Sequence, residues 1–323
     1  MLCICASHSP LMLTGIADSQ PGRQQRFFDV VAACRARIEA FDPELVVVFG
    51  PDHFNGLFLD LMPAFCIPTA ASSTRDWGLP AGELAIPREI AMGAISALRE
   101  AELDVAVSHR MKVDHGTTIP LHKFTGSLAR YPVLPVVIDC AAAPRPSFAR
   151  IRKLGEVMGR YLAGLDKRVL LLGSGGLSHD PPTPRIEEVP PEVAARLIDR
   201  HTPSEAELQK REARVVAAAE ALVRGEGPCK PPSEPWDRAF MDALLRMDTA
   251  TLDAYTDDEL DRVAGFGSHE VRCWVAAFAA MHAAGNAGAG RVSQKLEYYE
   301  AIPEWVTGMG VVSAEHARVA ALA

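Results

Sequence analysis

Residues 2–6, 45–50, 61–67, 104–107, 133–138 and 169–173 form short, nearly continuous apolar runs, each too short for an ordinary helix. A strand buried on both faces reads this way, because neither side of its pleat meets water. Between the runs lie longer segments with a different period. Phe27, Val31, Cys34, Ile38 and Phe41 recur every three or four residues, as one face of a helix does, and 87–101 and 148–165 follow the same rule. Pro87 suits a first helical turn. Apolar runs alternating with helical periods predict an α/β protein: a mostly parallel central sheet flanked by helices.

After about residue 190 the rhythm changes. Segments 192–201, 204–224, 236–247 and 269–284 are predicted as successive helices without intervening strands, so the C-terminal half is expected to be largely helical. The glycine-rich stretch 285–290 is expected to be a flexible loop, and 298–312 an edge element or an oligomer contact. The run 274–284 is too short to span a bilayer and contains His282, and the first twenty residues lack the basic start of a signal peptide.

Composition narrows the function classes. With 48% hydrophobic and 23% charged residues, neither intrinsic disorder nor a multispanning membrane protein is expected. The formal charge is −8, and no cationic run offers a nucleic-acid stripe or a polybasic membrane anchor, so neither partner is expected. The seven cysteines include no C-x-x-C pair, and several sit inside apolar runs, which reads as reduced thiols in a cytoplasm.

The histidines carry the functional signal. His8 follows run 2–6, His53 follows 45–50, His115 comes a short loop after 104–108, and His179 follows 169–173. Loops beyond the carboxyl ends of parallel strands form the ligand crevice of an open α/β sheet, so these four imidazoles are expected to share one site. Four exceed what one catalytic base needs. A first-row metal with accessory acid–base groups accounts for them, and their spacing matches neither H-E-x-x-H nor a zinc finger.

A carboxylate is the expected third donor, and Glu270 in Gly267-Ser268-His269-Glu270 offers one at the start of a helix, with Ser268 placed as a cap. An acidic residue there also complements the helix dipole without any metal. Asp52 and Asp114 precede site histidines and are placed to orient imidazoles; Asp180 has a weaker claim. His109 competes with His115 on position, whereas His122, His201, His282 and His316 read as packing or surface residues. Gly173 to Gly176 matches neither phosphate-loop pattern. Ser174 or Ser178 beside His179 lacks a G-x-S-x-G elbow, which disfavours a serine hydrolase.

Taken together, Ser7-His8-Ser9-Pro10, Pro51-Asp52-His53, Val113-Asp114-His115-Gly116, Gly173-Ser174-Gly175-Gly176-Leu177-Ser178-His179, His269-Glu270 and Ile302-Pro303-Glu304-Trp305 resemble the type III (LigB-like) extradiol ring-cleavage dioxygenases over nearly the full length. The resemblance implies one LigB-like catalytic domain over 1–323, with 1–180 as the α/β part carrying the histidines and 190–323 as a mainly helical part carrying Glu270. It implies that His8, His53 and Glu270 bind iron(II), that His179 is a proton acceptor and that His115 is a proton donor. The implied substrates are dioxygen and a catechol bearing a propionate or propenoate side chain, cleaved in aromatic-compound catabolism by a homo-oligomer. Lys112 and Arg185 are candidates to hold the side-chain carboxylate, but surface solvation is the role expected of both. Three other readings compete: an extradiol dioxygenase for another substituted catechol, a zinc hydrolase using the same ligands, and a noncatalytic LigB-like binding protein, against which the retention of His115 and His179 speaks.

Overall fold

A computed structural model describes residues 1–285 and 292–316. Its strands are β1 (Leu2–Ala6), β2 (Leu45–Gly50), β3 (Phe65–Pro68), β4 (Ala71–Ser73), β5 (Ala106–Ser108), β6 (Met111–Val113), β7 (Val133–Ile138), β8 (Val169–Ser174), β9 (Val292–Ile302) and β10 (Thr307–His316). The helices are α1 (Arg23–Phe41), α2 (Arg88–Glu100), α3 (His115–Pro120), α4 (Phe148–Ala163), α5 (Pro191–Ile198), α6 (Glu205–Val223), α7 (Glu234–Leu245), α8 (Thr249–Ala254), α9 (Asp257–Val263) and α10 (Val271–Ala284).

Eight strands form one sheet in the order β5-β3-β7-β2-β8-β1-β10-β9, while β4 and β6 pair separately. The centre β7-β2-β8-β1 is parallel throughout, as is β3 with β5; β7–β3, β1–β10 and β10–β9 are antiparallel. The central strands are wholly buried because consecutive residues feed two different cores. Cys3, Val47 and Leu171 pack on the face covered by α2, α4 and α10, and Leu2, Val48 and Leu172 on the face covered by α1. Helix α10 is buried on nearly every side, which is why its sequence reads like a membrane segment. Among the described residues no helix is long and apolar enough to cross a membrane. All seven cysteines are buried thiols.

Three sequence expectations change. The run 61–67 becomes a strand only from Phe65; Leu61 is 68% exposed, and Pro63 withholds the donor a strand there would need. The C-terminal half is helical only through Ala284, after which β9 and β10 join the sheet. Within the expected 298–312 return, β9 is the outermost strand but β10 is interior, hydrogen-bonded to β1 on its other side. The expected flexible loop at 285–290 lies, from residue 286 on, outside the described residues.

Candidate metal centre and active site

Strands β2, β8 and β1 are adjacent and parallel, so the loops leaving their carboxyl ends bring His53, His179 and His8 together. His115 arrives differently. Its strand, β6, belongs to the small ribbon rather than to the main sheet, and the residue opens α3, where Asp114 caps the helix by accepting from the Gly116 amide at 2.9 Å. Glu270 comes from a 3₁₀ turn, Phe266–Glu270, that runs into α10. Ser268 is not the cap of α10; its hydroxyl donates to the Gly265 carbonyl at 2.7 Å.

The donor atoms converge. Glu270 Oε1 lies 2.9 Å from His53 Nε2 and 3.5 Å from His179 Nε2, and Oε2 lies 3.6 Å from His8 Nε2. Oε2 also accepts from the Gly176 amide at 2.7 Å. His8, His53 and His115 have donor atoms within 4.8 Å of one another. However, the His53 and His115 rings are stacked, with centroids 4.1 Å apart and planes 18° apart. Imidazole lone pairs lie in the ring plane, so a stacked pair does not converge on one ion. His8 and His53 meet edge to face at 5.6 Å, which allows convergence.

Each imidazole is oriented through Nδ1. Asp114 Oδ2 holds His53 Nδ1 at 3.1 Å, Ser174 Oγ holds His8 Nδ1 at 2.9 Å, the Leu177 carbonyl holds His179 Nδ1 at 2.8 Å, and Asp76 Oδ2 holds His115 Nδ1 at 2.5 Å. Opposite a carboxylate or carbonyl, Nδ1 must carry the proton, which leaves Nε2 with its lone pair when the ring is neutral. Neutral His53 therefore points a lone pair at the Glu270 carboxylate. Two acceptors at 2.9 Å repel unless a proton or a cation lies between them, so the donor set fits a divalent metal.

The electrostatics agree. Burial disfavours the charged form of His53, but Asp114 and then Glu270 outweigh it and hold its pKa well above the usual imidazole value. Burial, reinforced by the neighbouring imidazoles and opposed by Glu270, pushes His8 down to about 3. Glu270, which burial alone would raise, is held well below the carboxylate range by His8, His179 and His53. Asp52 is raised to about 7 by burial and by the Asp114 charge.

Residues 2–310 match the family described as "Catalytic LigB subunit of aromatic ring-opening dioxygenase". The chain belongs to the LigB family. It is 47% identical over 311 residues to the "2,3-dihydroxyphenylpropionate/2,3-dihydroxicinnamic acid 1,2-dioxygenase" of Azotobacter vinelandii, covering 96% of this chain and 97% of that protein. Proteins of the same name from Cupriavidus pinatubonensis and Cupriavidus necator are 45% and 46% identical, each alignment covering 98% of both chains. The α/β fold with its parallel sheet centre is thus a LigB fold.

The LigB site opens into a cavity of about 570 Å³, lined by His8, His53, His115, His179 and Glu270 among others. His109 is elsewhere, bonded to Thr69 Oγ1 at 2.7 Å. Neither Lys112, which donates to Ser72 Oγ at 2.9 Å, nor Arg185, which lies over the Phe266 ring, lines the cavity. Asp114 does orient an imidazole, but that of His53 and not of its neighbour His115. Asp52 orients none; its carboxylate accepts from the Asn55, Gly56 and Leu57 amides and closes the loop carrying His53. Asp180 likewise braces backbone, accepting from the Phe266 amide at 3.0 Å.

Two supporting residues were not foreseen. Asp76, 3% exposed, is the side-chain partner of His115, and its turn is flanked by Arg75 and Trp77 at φ 68° and 56°. Residues bearing a Cβ seldom adopt such angles. The Trp77 amide is tied to Glu212 Oε1 of α6 at 2.7 Å. Asp237, fully buried on α7, accepts from the Ser178 amide at 2.7 Å, the Ser178 hydroxyl at 2.8 Å and the Tyr299 hydroxyl at 2.8 Å, and so fixes the turn before His179. Nothing local in the sequence marks either aspartate. Two glycines beside His179 act by close approach. A Cβ on Gly267 would land on the His179 ring, and one on Gly176 would sit 2.6 Å from it. Ser174 and Ser178 are engaged with His8 and Asp237, so neither hydroxyl pairs with His179.

Proposed function

We propose that this LigB protein is an iron(II)-dependent extradiol dioxygenase. It cleaves 2,3-dihydroxyphenylpropionate, and the corresponding cinnamate, to 2-hydroxy-6-oxonona-2,4-dienedioate or its triene counterpart, with 1–323 acting as one catalytic domain in the cytoplasm. The observation that carries the reading is the convergence of three inward donors, His8, His53 and Glu270, beside two more imidazoles, His115 and His179, each fixed through Nδ1. The shared name of relatives nearly half identical over the full length supports the substrate.

His8, His53 and Glu270 would hold the iron, which when bound supplies an electron path between a singlet catechol and triplet dioxygen. The chain's other groups manage protons. His179, with Nδ1 fixed on the Leu177 carbonyl, presents Nε2 beside Glu270 and takes a proton from a catechol hydroxyl. His115, packed against His53 and held through Nδ1 by Asp76, acts as the donor in its imidazolium form: it gives the Nε2 proton to oxygen as the ring opens and is left as the neutral Nδ1–H tautomer.

The test is oxygen uptake with simultaneous visible absorbance, after anaerobic iron(II) loading and addition of 2,3-dihydroxyphenylpropionate, with a zinc-loaded control. One dioxygen consumed per coloured product is the expected result. Turnover of zinc-loaded protein without oxygen consumption would replace the reading with a hydrolase.

A further inference from the structure

One wall of the cavity is built by α5 and α6. Arg196 of α5 and Lys210, Arg211 and Arg214 of α6 line it. Among the described residues, none of these four cations has a carboxylate within 4.0 Å. The same wall carries two carboxylates: Glu207, which accepts from the Ser204 amide and hydroxyl in the capping box that starts α6 and bears electrostatically on Arg211, and Glu212, which accepts from the Trp77 amide. Bonds from neutral donors do not cancel a carboxylate's charge, so the wall is cationic by the excess of these four cations over two carboxylates.

Arg211 differs from the other three in being half-buried; they are exposed. A guanidinium withdrawn from water beside an open cavity, with no carboxylate partner of its own, is poised for an anionic ligand. Burial correspondingly lowers its pKa, although the group stays charged. Leu197, Leu208, Val193 and Val306 line the same cavity and provide apolar surface. One chamber therefore offers a metal-ligating cluster, apolar walls and a cationic wall. A catechol carrying a short hydrocarbon arm that ends in a carboxylate presents the same three chemistries.

Building on the extradiol reading above, we propose that Arg211 binds the side-chain carboxylate of the catechol, in the positive field of Arg196, Lys210 and Arg214, and thereby sets the substrate preference. The guanidinium fork matches a carboxylate bidentately, and the neighbouring charges make the wall attractive to anions before contact. Lys112 and Arg185, away from the cavity, have no part in this.

The experiment compares kcat/KM for 2,3-dihydroxyphenylpropionate with that for its neutral analogue 3-propylcatechol, in the wild type, Arg211→Gln and Arg211→Lys, each loaded with iron(II). The readout is the ratio of the two values within one preparation, so incomplete folding or metal loading cancels. The wild-type ratio is expected to favour the acid, to fall by about 10- to 50-fold in Arg211→Gln, mainly through KM, and to be partly restored in Arg211→Lys. Anaerobic calorimetry, where turnover is impossible, is expected to show the same loss of affinity for the acid. An unchanged ratio in Arg211→Gln, or a wild type that does not distinguish the two substrates, overturns the assignment while leaving the ring-cleavage reading intact. Failure of the wild type to cleave either substrate overturns the ring-cleavage reading, and this assignment with it.

Discussion

Replacing Asp76 by Asn changes one charge at the back of His115 and touches none of His8, His53 and Glu270. Asp76 Oδ2 accepts from His115 Nδ1 at 2.5 Å and from the His115 amide at 3.3 Å, while Oδ1 accepts from the Thr74 hydroxyl at 2.8 Å. An Asn side chain can keep its oxygen on His115 and turn its NH₂ toward Thr74, whose hydroxyl rotates to accept, so geometry survives and charge does not. A charge-assisted hydrogen bond contributes about 1.5–3 kcal/mol and a neutral one about 0.5–1.5 kcal/mol, a difference of about 1–1.5 kcal/mol. If that difference is expressed in the proton-transfer transition state, kcat falls by about 5- to 12-fold. Asp76→Ala removes the acceptor entirely and is expected to cost about 10- to 150-fold. The assay is steady-state oxygen uptake with KM and iron content measured on the same samples; both should stay near wild type, and Asp76→Glu should recover part of the loss. Full kcat in Asp76→Asn, or a loss explained by missing iron, would refute a positioning role for Asp76.

Three further outcomes follow from the same geometry. Asp114→Asn, which weakens the hold on His53 Nδ1, is expected to lower iron affinity by about 10- to 100-fold in anaerobic titrations, and unchanged affinity would remove Asp114 from the support of the centre. Gly267→Ala places a methyl on the His179 ring and is expected to reduce kcat by about 100-fold with iron retained; an active Gly267→Ala enzyme would mean that the close approach is not needed. Burial pushes Asp237 up to about 6, so its protonated form favours the fold. That contribution is complete below pH about 4 and is lost as pH rises through 6, whereas Asn carries no such penalty. The stability of Asp237→Asn relative to wild type, from urea unfolding, should therefore rise by about 2–3 kcal/mol between pH 4 and pH 7, and a flat difference would contradict the buried-carboxylate reading.

Legibility in the sequence varied with the range of the interaction that decides each feature. Strands β1, β2 and β7 were readable to the residue because burial on both faces leaves a continuous apolar run. Strand β9 was not, because as an outermost strand it carries Lys295, Glu297 and Glu300, which break its apolar pattern. Strand β10 was obscured by Gly308 and Gly310, which lower strand propensity. A Cβ on Gly308 would meet the Asp237 carboxylate and one on Gly310 the Leu177 side chain, so both are required by neighbours far away in the chain. The ribbon of β4 and β6, three residues each, is too short to leave a period, and with it the true setting of His115 went unread.

What the chain determines locally is its alternation of apolar runs and helical periods, and therefore which loops leave the strand ends with His8, His53 and His179. Periodicity and burial are properties of neighbouring residues, so they can be read along a line. Which nitrogen of each imidazole faces Glu270, which aspartate stands behind His115, and which cations look into the cavity were decided only in three dimensions. Hydrogen-bond direction and lone-pair orientation depend on partners as far apart as His53 and Glu270, and no local pattern encodes the angle at which two distant side chains meet.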